Sequence, residues 1–237
     1  MPNLNRILTL VKDAIVPAQC VVCGNLILGP CYRDGLGNMV CMQHKDVAAH
    51  CLSCGRLCSK EKANHIGLGQ YVCETCTAHT PMESDIPKIS DYVKKVLSDA
   101  GISDIPTFTL HLVEIEELKK VIGRVCEGYA SYDGIHYSIH VLKHLSRTCY
   151  ASVLAHEMLH LWQMKLHLKP KQDICEGFCN LGSYEVLKAI GTPVARNRMT
   201  GLENDHDPIY GDGFRKVKKV YDAKGWAGVI TKIKKYK

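Results

Sequence analysis

Between positions 20 and 76 the chain sets eight cysteines and histidines in a repeated frame that a metal-held fold explains best. Cys20-x2-Cys23 is followed by Cys41-x2-His44, and Cys51-x2-Cys54 by Cys73-x2-Cys76. The surroundings repeat as well. Cys20-Val21-Val22-Cys23-Gly24 matches Cys51-Leu52-Ser53-Cys54-Gly55, and Gly35-Leu36-Gly37 ahead of Cys41 matches Gly67-Leu68-Gly69 ahead of Cys73. The offset is 31 residues at the early pair and 32 at the late pair, a one-residue insertion in the loop. Each CxxC turn aims two thiolates at one ion, and the glycine after it permits the tight bend. The pattern predicts two closed tetrahedral zinc sites, Cys20/Cys23/Cys41/His44 and Cys51/Cys54/Cys73/Cys76. His44 follows Cys41, and six residues separate the halves. The module is therefore a tandem of LIM-like zinc ribbons rather than a strict LIM domain, and spacing alone leaves crossed ligation between the halves open. Disulfides fit the repeated frame less well than metal. Cys31, Cys58, His50, His65 and His79 lie nearby without repeat partners and read as loop residues.

A second motif, His156-Glu157-Met158-Leu159-His160, lies in an amphipathic run over 148–165 with no internal Gly or Pro. Two histidines four apart on a helix share one face and can hold one metal ion. The intervening Glu157 then stands beside the ion as a general base for a water. Ser146 or Thr148 can cap the helix start, and Pro170 lies just past its end. Residues 134–141 ahead of it alternate and are rich in β-branched and aromatic side chains, so they read as a strand. A strand feeding an HExxH helix is the layout of zinc peptidases, in which an edge strand pairs with the extended substrate backbone.

A hydrolytic zinc takes three protein ligands and keeps one position open. His167 comes seven residues after His160, without the spacing or the glycine of the three-histidine pattern. His206 sits in the loop-like Asn204-Asp205-His206-Asp207-Pro208. Glu176 opens the next helical stretch, over about 171–190 and closed by Gly191. A helix-borne Glu facing the HExxH helix is the gluzincin arrangement. Glu176 is the favoured third ligand, with His206 and the absence of a third ligand left as alternatives. Asn180, one turn after Glu176, is a candidate partner of the site. Cys126, Cys149, Cys175 and Cys179 read as small core residues.

The segment His156-Glu157-Met158-Leu159-His160-Leu161-Trp162, the following Cys175-Glu176-Gly177-Phe178-Cys179-Asn180 and the later Tyr210-Gly211-Asp212-Gly213-Phe214-Arg215 together resemble the DA-one peptidases. These are zinc peptidases carrying LIM modules, best known as plant organ-size regulators, with shorter microbial relatives. The resemblance covers about 80–237 and, loosely, the N-terminal region. It implies that His156, His160 and Glu176 bind the catalytic zinc, that Glu157 is the base, and that the 210–215 segment closes a cleft. Tyr210, just before the glycine-rich turn of that segment, is the candidate oxyanion donor, with His206 second. The plant members carry ubiquitin-binding motifs ahead of the zinc module; the acidic, alanine-centred helix of such motifs has no counterpart here.

The expected class is α+β: a small gluzincin-type metallopeptidase domain over 81–237, preceded by tandem LIM-like ribbons over 19–80 and a short amphipathic helix over 1–18. Ribbons of this size bury too little apolar surface to fold without metal. Helices are expected over 85–101 and 114–122, strands over 107–113 and around Tyr129, a loop over about 191–207, and helices from Gly211 onward. Thirteen cysteines, no run of 18 apolar residues and no signal-peptide pattern point to a reducing, cytoplasmic setting with zinc-held thiolates. Three zinc ions are expected, with a protein or peptide as substrate and the ribbons recruiting partners or regulating access. The net charge of +6 gathers late: 214–237 holds nine Lys or Arg against Asp222 alone. That allows a second reading, a nucleic-acid-associated protease like the SprT-like proteins, with lysines on a solvated helix face as the plainer account. A non-catalytic LIM-like adaptor is the third.

Overall fold

The computed structural model describes residues 18–237; the N-terminal helix expected over 1–18 lies outside the described residues but for its last. The first ribbon pairs β1 (Cys31–Arg33) with β2 (Met39–Cys41). The second is built from β3 (Ala48–His50) against β4 (Leu57–Ser59), β5 (Asn64–His65) against β6 (Tyr71–Val72), and the short α1 (Glu74–Ala78). Then come α2 (Ile86–Asp99), β7 (Phe108–Val113), α3 (Ile115–Ile122), β8 (Gly128–Tyr132), β9 (Tyr137–Leu142), α4 (Arg147–Lys165), α5 (Gln172–Ile190), α6 (Pro193–Asn204) and α7 (Gly211–Ile233). The protein is thus α+β with small sheets.

β7, β9 and β8 form one three-stranded sheet in that order, β7 parallel and β8 antiparallel to β9. Alternation along β9 decides its two faces. Ile139 and Val141 are fully buried, while His140 between them stacks on Tyr129 and His111 with ring centroids 4.3 and 4.6 Å apart. α4 packs against β8 and β9, α5 against α4, and α7 against α5. The strand that feeds α4 is therefore the central one, and the free edge beside the helix belongs to β8. Periodicity identifies a strand; its neighbours follow from the crossover through α3, which periodicity does not carry.

Two local features shape the C-terminal half. α6 stands where a loop was expected over 191–207. Thr192 Oγ1 caps it by accepting from the Ala195 N–H at 3.1 Å, and Pro193 pre-sets its first turn. Only Ala195 on it is buried, so no apolar stripe advertised it. Further on, α7 breaks at Gly225 (φ 60°, ψ −169°), a conformation only glycine takes without strain. Beyond the break Trp226 turns back onto Phe178 and donates to Glu185 at 3.1 Å.

The second ribbon and the helical half share one buried core, in which Cys51, Cys54, Cys73 and Cys76 join Val93 and Leu97 of α2 and Cys149 and Tyr150 of α4. A smaller cluster joins Cys20 and Val40 of the first ribbon to Leu57 of β4.

Candidate metal centres and cleft

Three groups of side chains among the described residues could hold metal ions. Cys20, Cys23, Cys41 and His44 bring their donor atoms within 4.8 Å of one another, and so do Cys51, Cys54, Cys73 and Cys76. The groups follow the sequence repeat, with no crossed ligation. In the first, Cys41 Sγ lies 3.0 Å from His44 Nδ1. Burial raises the Cys20 thiol, but backbone N–H groups of the knuckle outweigh it and bring it to about 6. In the second, Cys54 Sγ and Cys73 Sγ are 3.9 Å apart, close to the roughly 3.8 Å between sulfurs of a tetrahedral thiolate site with bonds of about 2.3 Å. The Cys51 N–H donates to the Arg56 carbonyl at 2.8 Å and the Cys73 N–H to Cys51 Sγ at 3.3 Å, which together build the knuckle. Crowding by neighbouring sulfurs drives the Cys54 and Cys76 thiols upward. Hydrogen bonds from the same neighbours pull Cys51 to about 6 and Cys73 lower. Four sulfurs gathered within 4.8 Å of one another make a donor set that a divalent ion would satisfy.

The third group lies where α4 faces α5. His156 Nε2 and His160 Nε2 are 3.1 Å apart, and Glu176 Oε2 is 3.2 Å from the first and 3.4 Å from the second. The centre of that triangle is roughly 1.9 Å from each corner, matching zinc bonds of about 2.0–2.2 Å to nitrogen and oxygen. Burial would raise the Glu176 carboxyl, but hydrogen bonds with both imidazoles hold it far below the usual carboxylate range. Cys179 Sγ also falls within 4.8 Å of the two histidines. Complete burial pushes its thiol well up, and it already receives the Gln163 amide at 3.2 Å. Glu176 is the better donor by charge and by aim. His206 is exposed on the turn before α7.

Glu157 lies in the same cleft beneath β8, close enough to His156, His160 and Glu176 to feel their charge, and accepts a backbone hydrogen bond from Ala130. It is 5% exposed, and burial raises its carboxyl. A Cβ on Gly128, the first residue of β8, would come within 2.8 Å of the His140 carbonyl oxygen and 3.4 Å of Glu157 Oε1. The start of β8 thus passes close over the Glu157 carboxyl.

Tyr210 reaches the same 880 Å³ cleft as His156, Glu157, His160 and Glu176. Its backbone carbonyl accepts from Asn180 Nδ2 at 3.2 Å, giving Asn180 a positioning role. Burial raises the Tyr210 phenol. Arg124 lies over the ring, 4.7 Å from its centroid, and donates to the phenol oxygen. With that oxygen accepting, the phenol hydrogen is left to donate into the cleft.

Tyr210 is brought close by two glycines. A Cβ on Gly177 would fall on the Gly213 carbonyl, and one on Gly213 on the Asp173 carbonyl, so α5 and the start of α7 touch backbone to backbone. Gly177→Ala should lower stability by about 1–3 kcal/mol and shift Tyr210 away from Glu176. A thermal unfolding midpoint equal to that of the parent chain would contradict this packing.

Several residues in or around the cleft were not visible in the sequence. Arg124 carries no motif. Cys175, expected in the core, is half-buried with its Sγ 3.7 Å from His160 Nδ1. The adjacent Cys179 thiol lowers the Cys175 thiol, burial opposes this and the His160 ring adds to the lowering, which leaves it at about 5. Arg198 of α6 forks onto Glu127 at 2.5 and 2.8 Å. In the basic 214–237 segment, Arg215, Lys216 and Lys218 pair with Asp212, Asp173 and Asp222. No helix of the described residues is long and apolar enough to cross a membrane.

No protein-family model, curated protein or solved structure matches this chain.

Proposed function

We propose that the protein is a zinc-dependent peptidase of the gluzincin type, as its resemblance to the DA-one peptidases implies, with His156, His160 and Glu176 as catalytic ligands and two further zinc ions in the ribbons. The observation that carries this reading is the triangle of two imidazole nitrogens and one carboxylate oxygen, 3.1–3.4 Å on a side, with a buried carboxylate and a free strand edge beside it. A zinc ion held there supplies a Lewis acid that acidifies water and polarises a peptide carbonyl.

The remaining steps belong to the chain. β8 holds the substrate backbone by adding it to the sheet edge. Glu157 accepts the proton of the attacking water and returns it to the departing amine. Its raised affinity for protons, set by burial, suits both halves of that transfer. Tyr210 donates its phenol hydrogen to the carbonyl oxygen as negative charge gathers there. Asn180 and Arg124 hold Tyr210 in place. In each ribbon four protein ligands would close the site around an ion, leaving no open position for chemistry.

The test is a metal count on the chain purified without added metal, paired with cleavage of an unfolded protein such as reduced casein. About three zinc ions per chain and cleavage abolished by 1,10-phenanthroline are expected. Two ions per chain and no cleavage after zinc is supplied would refute the reading.

A further inference from the structure

The knuckle of the second ribbon, Cys51-Leu52-Ser53-Cys54-Gly55, does not stand apart from the cleft. Leu52, Cys54 and Gly55 line it together with His156, Glu157 and Glu176. The knuckle is also fastened in place from several sides. The Ser146 N–H, at the N-terminus of α4, donates to Ser53 Oγ at 3.0 Å, and Ser53 Oγ donates to Ser146 Oγ at 3.1 Å. The Ser53 carbonyl accepts from Cys149 Sγ at 2.8 Å and from Arg198 Nη1 at 2.9 Å. The Cys54 carbonyl accepts from Asn197 Nδ2 at 3.0 Å. Ser53 is fully buried. The Leu52 N–H is fixed by the Tyr71 carbonyl at 2.8 Å.

Arg198 joins the two walls of the cleft. One guanidinium nitrogen reaches the knuckle and both reach Glu127, the residue before β8. The knuckle and the substrate-pairing strand are therefore held at a set separation. The polar groups on the knuckle wall are already spent: Arg198 on Glu127 and Ser53, Asn197 on Cys54, Ser53 on Ser146. The Gly55 N–H is held by the Cys51 carbonyl at 2.9 Å and its carbonyl lies 3.1 Å from His50 Nδ1, so what that wall leaves for a bound chain is the half-buried side chain of Leu52. A surface of this kind rejects a charged side chain, which would lose its water without gaining a partner, and accepts an apolar one.

From this geometry we infer that the zinc knuckle of the second ribbon is a side-chain subsite of the cleft, with Leu52 selecting an apolar residue of a peptide bound along β8. The inference rests on the peptidase reading and assigns to the ribbon a direct part in substrate choice. An apolar contact of this size discriminates by about 10–200-fold.

The experiment measures binding rather than turnover. Two series of dye-labelled peptide hydroxamates, one extending to each side of the metal-binding group, carry Leu, Phe, Asp or Lys at successive positions. Fluorescence anisotropy gives their Kd for the zinc-loaded full chain. At one position the parent chain should prefer Leu or Phe over Asp by at least about 10-fold. Leu52→Arg should reverse that preference toward Asp at the same position, and Leu52→Gln should flatten it, with zinc content unchanged in both. Unaltered preferences in both variants, with zinc retained, would overturn the subsite while leaving the peptidase reading intact. Failure of every hydroxamate to bind the zinc-loaded parent chain would overturn the metal-centred cleft itself, and the subsite with it.

Discussion

Glu157→Gln is expected to bind as much zinc as the parent chain and to lose about 10²–10⁴-fold in peptide turnover, the contribution of a positioned general base. Gln keeps the volume of the side chain in a pocket that is 5% exposed and removes only its capacity to carry a proton. The ligand triangle does not include it, so the metal site should stand. Stability gives an independent check. Burial lifts the Glu157 carboxyl above its unfolded value. The protonated form therefore favours the native state, and ionisation costs stability as pH rises through that elevated range. Gln removes this cost, so the metal-free variant should unfold at the same temperature as the metal-free parent or above it at pH 8. Retained turnover would move the base elsewhere, and a lower unfolding temperature would mean the carboxylate holds the fold together.

The two ribbon sites should respond to the same lesion very differently. Cys73→Ser removes one ligand from a site whose four sulfurs belong to the main core. Structural zinc contributes about 10–16 kcal/mol to folding in small metal-held domains. Losing it here should lower the main unfolding transition, release one zinc ion and open the cleft wall that Ser53 and Cys54 build. Cys20→Ser should also release one ion, but Cys20 belongs to the smaller cluster with Val40 and Leu57 and not to the main core. The main transition and the catalytic zinc should survive. Calorimetry and metal counts on both variants distinguish the cases, and equal losses in the two would show that the ribbons form a single unit. Acid should act on both sites in the same direction, because proton binding to the thiolates competes with the ion as pH falls.

What the sequence made legible was whatever local pattern encodes. The HExxH helix, the Glu176 helix and its stop at Gly191, where φ is +65°, follow from period and capping. The ribbon ligands follow from a repeat that aligns residue by residue. What it concealed was long-range. α6 is polar on most of its surface, and its only announcement was the Thr192-Pro193 start. The edge position of β8 depends on how strands are ordered, which alternation does not contain. Cys175 passed for a core residue because a small thiol in an apolar run looks the same whether it faces a leucine or an imidazole. Arg198 offered no motif at all, since its meaning lies in two partners, Ser53 and Glu127, that are remote in the chain.

That remoteness governs the order in which the molecule can come into being. Arg198 and Ser53 are separated by 145 positions, and Asn197 and Cys54 by 143. Contacts of such span require most of the loop-closure entropy to be overcome before they form, and they arrive late. During synthesis the ribbon and the histidine helix are both made before α6 exists. The nascent chain therefore carries its His156–His160 helix in an unwalled state and gains the far wall of its cleft only when its last quarter docks. Helical signal should return early in refolding, and side-chain discrimination should be the final property recovered.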